Sequence, residues 1–428
     1  MNPFFSEAAA RFAGSTALVD RRSGLSVGFG GLVDFLESRP LPDVGFVASR
    51  SESFFDHVVF LLGMLARGAV VAPVGHRLPL GRARELAAGI GVSGFWNGGA
   101  FEPMDGSAPP VEGPGTVLFT SGSSGVPKAV AHRFHRHVAS ARGAAERIPL
   151  GPGDGWLVSL PPHHVSGFSI PVRCLLAGAT AVFPDQGLDF CSQVRDSAVT
   201  HLSVVDTQLR RLLRAGVDLS GLKAVLVGGG PVPRDLVSQA LDAGVPLHVT
   251  YGMTEAASQV CTTQRLFKVP ERIHAGTPLP GREVRTVGGR IEVRGEVVAD
   301  SVSASDGWMQ TGDCGRFDSE GNLVVEGRVD RMIVSGGENI HPEAVEILLA
   351  EAPGVGRAVV VGVPSEEFGM RPVAFVAGDF SGEGLRDFLR GRVEAFAVPD
   401  RFLKWPSSVD SDAAKPDYRA LEKLALGR

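Results

Sequence analysis

The hydrophobic pattern changes period several times along the chain. Residues 56–68, DHVVFLLGMLARG, place apolar side chains at helical spacing, and residues 69–74, AVVAPV, follow as a short apolar run suited to a buried strand. That alternation predicts α/β layering over the first hundred residues. Further strand-like runs end in Gly or Pro turns: TVLFT (116–120), WLVSLPPHHVSG (156–167), ATAVFP (179–184), HLSVV (201–205), KAVLVGGG (223–230) and PLHVTYG (246–252). Helical stretches separate several of them. The pattern predicts a parallel sheet whose ligands lie at the C-terminal ends of the strands.

From about Gly276 the texture shifts to short β runs, REVRTV, RIEVRGEVV and NLVVEGRVD, which predict a small antiparallel or barrel-like section. After Asp330 a compact α+β segment follows: HPEAVEILLA (341–350) reads as helix, AVVVGVP (358–364) and PVAFVAG (372–378) as strands, and LRDFLRGRVE (385–394) as helix. The expected fold class is therefore α/β. A large N-terminal domain, residues 1–329, has parallel sheets flanked by helices plus a small β section, and residues 330–428 form a small, mobile α+β C-terminal domain.

Composition narrows the function classes. The 428 residues are 44% hydrophobic and 21% charged, ample for a globular core. A net charge of −5 supplies no global basic field for nucleic acid or an anionic membrane. The longest strongly apolar stretch, Val58 to Ala66, falls short of the roughly 20 residues a membrane helix needs. The start, MNPFFSEAAARFAGS, lacks the basic and long apolar regions of a signal peptide. Cys174, Cys191, Cys261 and Cys314 form no CxxC pair, which argues against a disulfide framework or structural zinc. The expectation is a soluble cytoplasmic protein with neither a nucleic-acid partner nor stable membrane insertion; a homo-oligomer is left open. Only six lysines occur among 42 basic residues, so a lysine inside a motif is conspicuous.

Four segments carry candidate chemistry. In TVLFTSGSSGVPKAV (116–130) a strand runs into a turn with Thr120, Ser121, Gly122, Ser123, Ser124 and Gly125, then Lys128. Glycines let backbone N–H groups approach phosphate oxygens, and hydroxyls and a lysine add donors and charge. Pro127 before the lysine and Ala129 after it separate this loop from a Walker A motif. In VTYGMTEAASQV (249–260), Tyr251 at a strand tip can stack on a base, and Thr254 with Glu255 offers oxygen donors for Mg²⁺. Residues 307–346 hold Asp313 after a Gly turn, an acid suited to ribose hydroxyls, and Arg328 in a second Gly-bounded stretch. Finally, SSVDSDAAKPDYRAL (407–421) carries a lone Lys415.

In this order and at these separations, the four segments resemble the adenylate-forming superfamily of acyl-CoA synthetases, peptide-synthetase adenylation domains and luciferases, over nearly the whole chain. SGSSGVPK is similar to its phosphate loop, YGMTE to its adenine and Mg²⁺ motif, TGD to its ribose acid, GRVDRMIVSGGENIHPEAVE to its hinge segment, and AAKPDYR to its catalytic-lysine motif. The resemblance implies that Thr120, Ser121, Gly122, Ser123, Ser124, Gly125 and Lys128 hold ATP phosphates. It places Gly228, Gly229, Gly230 and Pro231 beside the adenine opposite Tyr251, Gly252 and Met253, with the same glycines lining the acyl pocket. Thr254 and Glu255 would serve phosphate and Mg²⁺, Glu255 as the metal ligand; Asp313 and Arg328 would hold the ribose; Asp330 would be the hinge. Lys415 would bridge the attacking carboxylate and the α-phosphate. The cofactors implied are ATP, Mg²⁺ and coenzyme A as co-substrate, and the remaining partner is a small carboxylic acid.

The combination HHVSGF, VGGGPVP, YGMTEAASQ and SGGENIHPEAVE is most similar to the o-succinylbenzoate–CoA ligase branch, which serves menaquinone biosynthesis. That branch implies an aromatic dicarboxylate, whose unreacted carboxylate needs polar or cationic partners: His164, Ser258 and Gln259 are candidates, with Arg173 a further one. Asn339 stands where many acetyl-type relatives carry Arg, and Ala414 replaces the usual Gly before the lysine. The alternatives are a ligase for another aryl or acyl acid, a stand-alone adenylation enzyme loading a carrier protein, and a non-catalytic paralogue. A distant one is a serine hydrolase built on Gly24-Leu25-Ser26-Val27-Gly28, a GxSxG string with no apolar strand before it.

Overall fold

The structure, a computed structural model, describes residues 2–120, 127–195, 198–409 and 416–427. The expected alternation resolves into two sheets with parallel centres. One has nine strands in the order Thr277–Pro278, Ser258–Thr262, Leu247–Met253, Ala224–Val227, His201–Val204, Gly155–Leu157, Thr180–Phe183, Thr16–Asp20 and Ser26–Gly28 among the described residues. Its central strands, from Leu247–Met253 to Thr16–Asp20, are parallel, and antiparallel strands close both edges. The second has six: Ala100–Pro103, Gly94–Asn97, Phe46–Arg50, Val70–Pro73, Gly115–Thr120 and Lys128–Arg133, again parallel inside and antiparallel at the edges.

A helical layer joins these sheets. Helix Phe54–Ala66 starts on Ser53, whose Oγ accepts the Asp56 N–H at 3.1 Å. It has no polar face because it is buried almost throughout. Leu18 and Ala181 of the nine-stranded sheet and Val47 and Val71 of the six-stranded one share a core with this helix and with Phe134, Val138, Phe168 and Ile170 of helices Phe134–Ala145 and Val165–Ala177. Burial of such side chains, each worth about 1.5–3 kcal/mol, holds the two sheets at a fixed distance.

The expected small β section is a four-stranded antiparallel sheet, Arg282–Val287, Arg290–Gly295, Met309–Phe317 and Leu323–Arg328. After a short 3-10 turn, Val329–Arg331, a further sheet of Ile333–Ser335, Glu338–Ile340, Val355–Ser365, Gly369–Gly378 and Arg401–Lys404 packs with helices Pro342–Glu351, Gly382–Leu389 and Tyr418–Ala425.

Three expectations are corrected. The strand expected over 156–167 stops at Leu157; Pro161 and Pro162 cannot donate to a ladder, and His164 instead takes the N-cap position of helix Val165–Ala177. The helix expected over 385–394 ends at Leu389, because Arg390 turns extended and Gly391 takes φ +76°. Ser26 begins an exposed edge strand, not the strand-to-helix turn that a hydrolase nucleophile requires, and this removes the hydrolase reading.

Candidate active site

The strand ends of both sheets converge on the residues expected to carry chemistry. Strand Gly115–Thr120 pairs with Lys128–Arg133, so Thr120 stands opposite an exposed Lys128. Ser121, Gly122, Ser123, Ser124 and Gly125, and likewise Lys415, lie outside the described residues. Lys128 and Ala129 are both exposed; from Val130 to Arg133 burial alternates, and Val130 and His132 point inward. His132 is fully buried, and its Nε2 lies 2.7 Å from the Thr254 carbonyl oxygen. Burial pushes the His132 imidazole down to about 4 against the favourable bond to Thr254, so it is neutral.

Strand Leu247–Met253 delivers Tyr251, Gly252, Met253, Thr254 and Glu255 in sequence. Gly252 is obligatory there: a Cβ would sit 2.1 Å from the Ser258 carbonyl oxygen of the neighbouring strand. The Tyr251 hydroxyl donates to Asp313 Oδ2 at 2.6 Å, and Arg328 Nη1 donates to Asp313 Oδ1 at 3.2 Å. Desolvation raises the Asp313 carboxyl, with the tyrosine hydroxyl and the guanidinium pulling it back down. Arg328 also grips Asp330 through two bonds of 3.0 and 3.2 Å, and that pairing raises its own pKa. The adenine, ribose and hinge candidates thus form one connected cluster drawn from two sheets.

Gly228, Gly229, Gly230 and Pro231 leave the end of strand Ala224–Val227. A Cβ on Gly228 would meet Thr250 Cγ2 at 2.6 Å, so only glycine allows this approach to the next strand, while Gly229 to Pro231 are exposed. On the other side, Thr254–Ala256 makes a 3-10 turn and the chain reverses through Ala257 at φ 49° and Ser258 at φ 106°. The buried Ser258 Oγ accepts from Arg173 Nη2 at 3.2 Å and lies 3.4 Å from Ser169 Oγ.

Arg173 is 5% exposed, and its guanidinium lies 5.3 Å over the Trp156 ring. Among the described residues no carboxylate pairs with it, and burial pushes it down to about 10. Gln259, the next residue of the strand, is spent differently: its amide donates to Thr262 Oγ1 at 2.8 Å and to Thr250 Oγ1 at 3.5 Å, and its Oε1 is buried without a hydrogen-bond partner among the described residues. His164 is exposed, with its ring 4.2 Å from His163, and among the described residues no hydrogen bond joins it to Ser258 or Gln259. His163 is pushed down to about 2 by burial and then by the adjacent His164.

The structure therefore brings Arg173 and Ser258 together across 85 residues, and His132 to Thr254 across 122. His132 is the contact that motif reading passes over. Its signal in the sequence is a histidine at even spacing from Lys128 and Val130, on the inward face of its strand.

The AMP-binding enzyme family matches residues 93–307, and the AMP-binding enzyme C-terminal domain matches residues 344–408. The chain is 38% identical over 318 residues to 2-succinylbenzoate–CoA ligase of Escherichia coli, covering 72% of this chain and 68% of that protein. It is 39% identical over 325 residues to the ligase of the same name from Salmonella typhimurium, with 72% and 68% covered. Among solved structures it resembles wild-type E. coli MenE with a bound phenylether-linked analogue of OSB-AMS, at TM-score 0.81 and 30% identity over 99% of both chains. It also resembles o-succinylbenzoate CoA synthetase from Bacillus subtilis in complex with the acyl-adenylate OSB-AMP, at TM-score 0.84 and 25% identity over 98% of this chain and 97% of that one. The chain belongs to the AMP-binding enzyme family.

Proposed function

We propose that the protein is an ATP-dependent acid–CoA ligase whose acid is o-succinylbenzoate. The carboxylate attacks the α-phosphate of ATP, forming acyl-AMP and releasing pyrophosphate; the thiol of coenzyme A then attacks the acyl carbon, forming the thioester and releasing AMP. The observation that carries the substrate assignment is Arg173, a buried guanidinium without a carboxylate partner among the described residues. A buried cation left in that state is costly unless a ligand anion completes it. A monocarboxylic acid has no second anion to offer, whereas an aromatic dicarboxylate does. Ser258 Oγ, bonded to the same guanidinium, would add a hydroxyl donor to that carboxylate.

The first half-reaction joins two anions, so its barrier is lowered by screening charge and aligning the attack. Lys128 and Lys415 are the cations assigned to that task, Lys415 between the attacking carboxylate and the α-phosphate. Asp313 would hold the ribose hydroxyls. Its two oxygens offer about four acceptor positions, and Tyr251 and Arg328 occupy one on each oxygen, so two remain for a diol. Thr254 and Glu255 present oxygen donors at a strand end, the donor set a hard cation takes; Mg²⁺ needs few protein ligands because it keeps waters and phosphate oxygens. Held by Glu255, it would neutralise phosphate charge.

The same reading divides the chain at Asp330, with residues 1–329 binding the acyl-adenylate and 330–428 moving between half-reactions. Two arginines support that pivot. Arg328 pairs with Asp313 on one side, while Arg331 pairs with Glu343 at 2.8 Å and Glu346 at 2.6 Å on the other and bonds the Val360 carbonyl. Rotation is then confined to the short link between them. The deciding experiment is pyrophosphate exchange across a panel of acids, with and without coenzyme A. Exchange with o-succinylbenzoate and CoA-dependent AMP release are expected. Strong exchange with a monocarboxylate and none with o-succinylbenzoate would overturn the substrate, and acyl transfer to a carrier protein but not to CoA would overturn the acceptor.

A further inference from the structure

We propose that His132 is a positioning residue for the Thr254–Glu255 turn: from the strand that leaves the phosphate-loop region it donates its Nε2–H to the Thr254 carbonyl and so fixes where Glu255 stands relative to Lys128. The proposal rests on the reading of that turn as the site of Mg²⁺ and phosphate.

The carbonyl oxygen can only accept, so the 2.7 Å contact requires the proton on Nε2. Nδ1 is then a bare acceptor, and it is buried without a hydrogen-bond partner among the described residues. An apolar side chain would fill this position without that penalty, so packing alone does not account for a histidine. The turn it grips is where the described backbone carries strain. Ala257 and Ser258 are the non-glycine residues with positive φ among the described residues, each a conformation costing on the order of 1–3 kcal/mol. Such a turn persists only when several contacts determine it together. Here the Ala257 N–H donates to the Thr254 oxygen at 3.0 Å and the Ala299 N–H to the Glu255 oxygen at 2.9 Å. Arg173 holds Ser258 from the acyl side, and His132 holds Thr254 from the phosphate side. Lys128, Val130 and His132 are spaced two residues apart on one strand, Lys128 exposed at its start and His132 buried, so a single element carries both the phosphate-side lysine and the tie.

The test compares His132→Leu with His132→Gln, whose amide nitrogen can reach the same carbonyl. Loss of a buried hydrogen bond of this kind is expected to lower the rate of MgATP-dependent pyrophosphate exchange about 10- to 100-fold in the Leu variant. The KM for the acid and the thioesterification of supplied acyl-adenylate should change less than about threefold, and the Gln variant should recover most of the exchange rate. Equal loss in both half-reactions, or a Gln variant as poor as the Leu variant, would overturn the tie. Should the Leu variant not fold, nitrogen-15 histidine spectra of the wild-type protein decide, with the His132 signal assigned by its loss in the Gln variant. A neutral Nε2–H ring supports the tie, and an Nδ1–H ring overturns it. A wild-type protein that exchanges with no acid would instead sink the functional reading, leaving the ring spectrum to judge the tie.

Discussion

Replacing Arg173 by methionine removes a guanidinium that is 5% exposed, bonded to Ser258 at 3.2 Å and stacked over Trp156 at 5.3 Å. Two opposed effects can be sized. In the free protein, burial pushes this group from 12.5 down to about 10, a depression that corresponds to roughly 3 kcal/mol of desolvation. Methionine avoids that cost and fills similar volume, while the lost bond to Ser258 costs about 1–2 kcal/mol. The free variant should therefore be as stable as the wild type, or more stable by about 1–2 kcal/mol. In the complex the sign reverses. Truncating one partner of a desolvated charge pair costs about 2–5 kcal/mol, which is roughly 30- to several-thousand-fold in kcat/KM for o-succinylbenzoate. The control is the same acid without its second carboxylate; its kcat/KM should stay within about threefold, because it never used the guanidinium. The assays are urea unfolding and pyrophosphate release with each acid. Equal losses for both acids would refute the assignment of Arg173 to the second carboxylate. A destabilisation above about 2 kcal/mol would refute the account of an unpaired buried cation.

The other predictions concern separate parts of the molecule. Lys415→Ala should abolish adenylation while largely sparing thioesterification of supplied acyl-adenylate; equal loss in both would remove its assigned role. Gly143→Ala should destabilise the fold by about 3 kcal/mol in urea, since a Cβ there would lie 2.1 Å from Nη1 of the buried Arg282 and 2.6 Å from the Pro280 oxygen; a change below about 0.5 kcal/mol would show that the arginine relocates freely. His57, fully buried beside Ser49, is pushed down to about 3 by desolvation. Below pH about 6.5 the unfolded chain binds a proton that the folded chain refuses, so stability falls as pH drops from 6.5 towards 3, by about 1.4 kcal/mol per pH unit for this residue. Between pH 7 and 5 the wild type should therefore lose about 2 kcal/mol more than His57→Leu, and parallel urea midpoints would contradict it. Asp313→Ala should raise the KM for ATP about tenfold or more through loss of charge-assisted bonds to the ribose, with little effect on the KM for the acid, as measured by pyrophosphate exchange.

Much of this protein is determined locally. Periodicity alone locates helix Phe54–Ala66 and the strands at Val70, Gly115, His201, Ala224 and Leu247, because a buried apolar run can hide its side chains in few ways. The motif residues are legible for a related reason: close backbone approach demands glycine at Gly228 and Gly252, and few other residue types fit those places. Local pattern misled where chain direction depended on punctuation. Pro161 and Pro162 bar the run that reads as a strand from continuing beyond Leu157 to residue 167, and extended Arg390 with Gly391 at positive φ closes the helix after Leu389.

Tertiary structure decided the pairings. Nothing near Arg173 indicates that its partner will be Ser258, or that no carboxylate among the described residues will meet it. Nothing near His132 points to Thr254, and the Asp313 cluster takes Tyr251 from one sheet and Arg328 from another. The physical reason is one of range. Hydrophobic period and turn chemistry act over a few neighbouring residues, whereas the desolvation and directed hydrogen bonds that give a histidine its tautomer and an arginine its unmet charge depend on which distant strands the fold sets side by side.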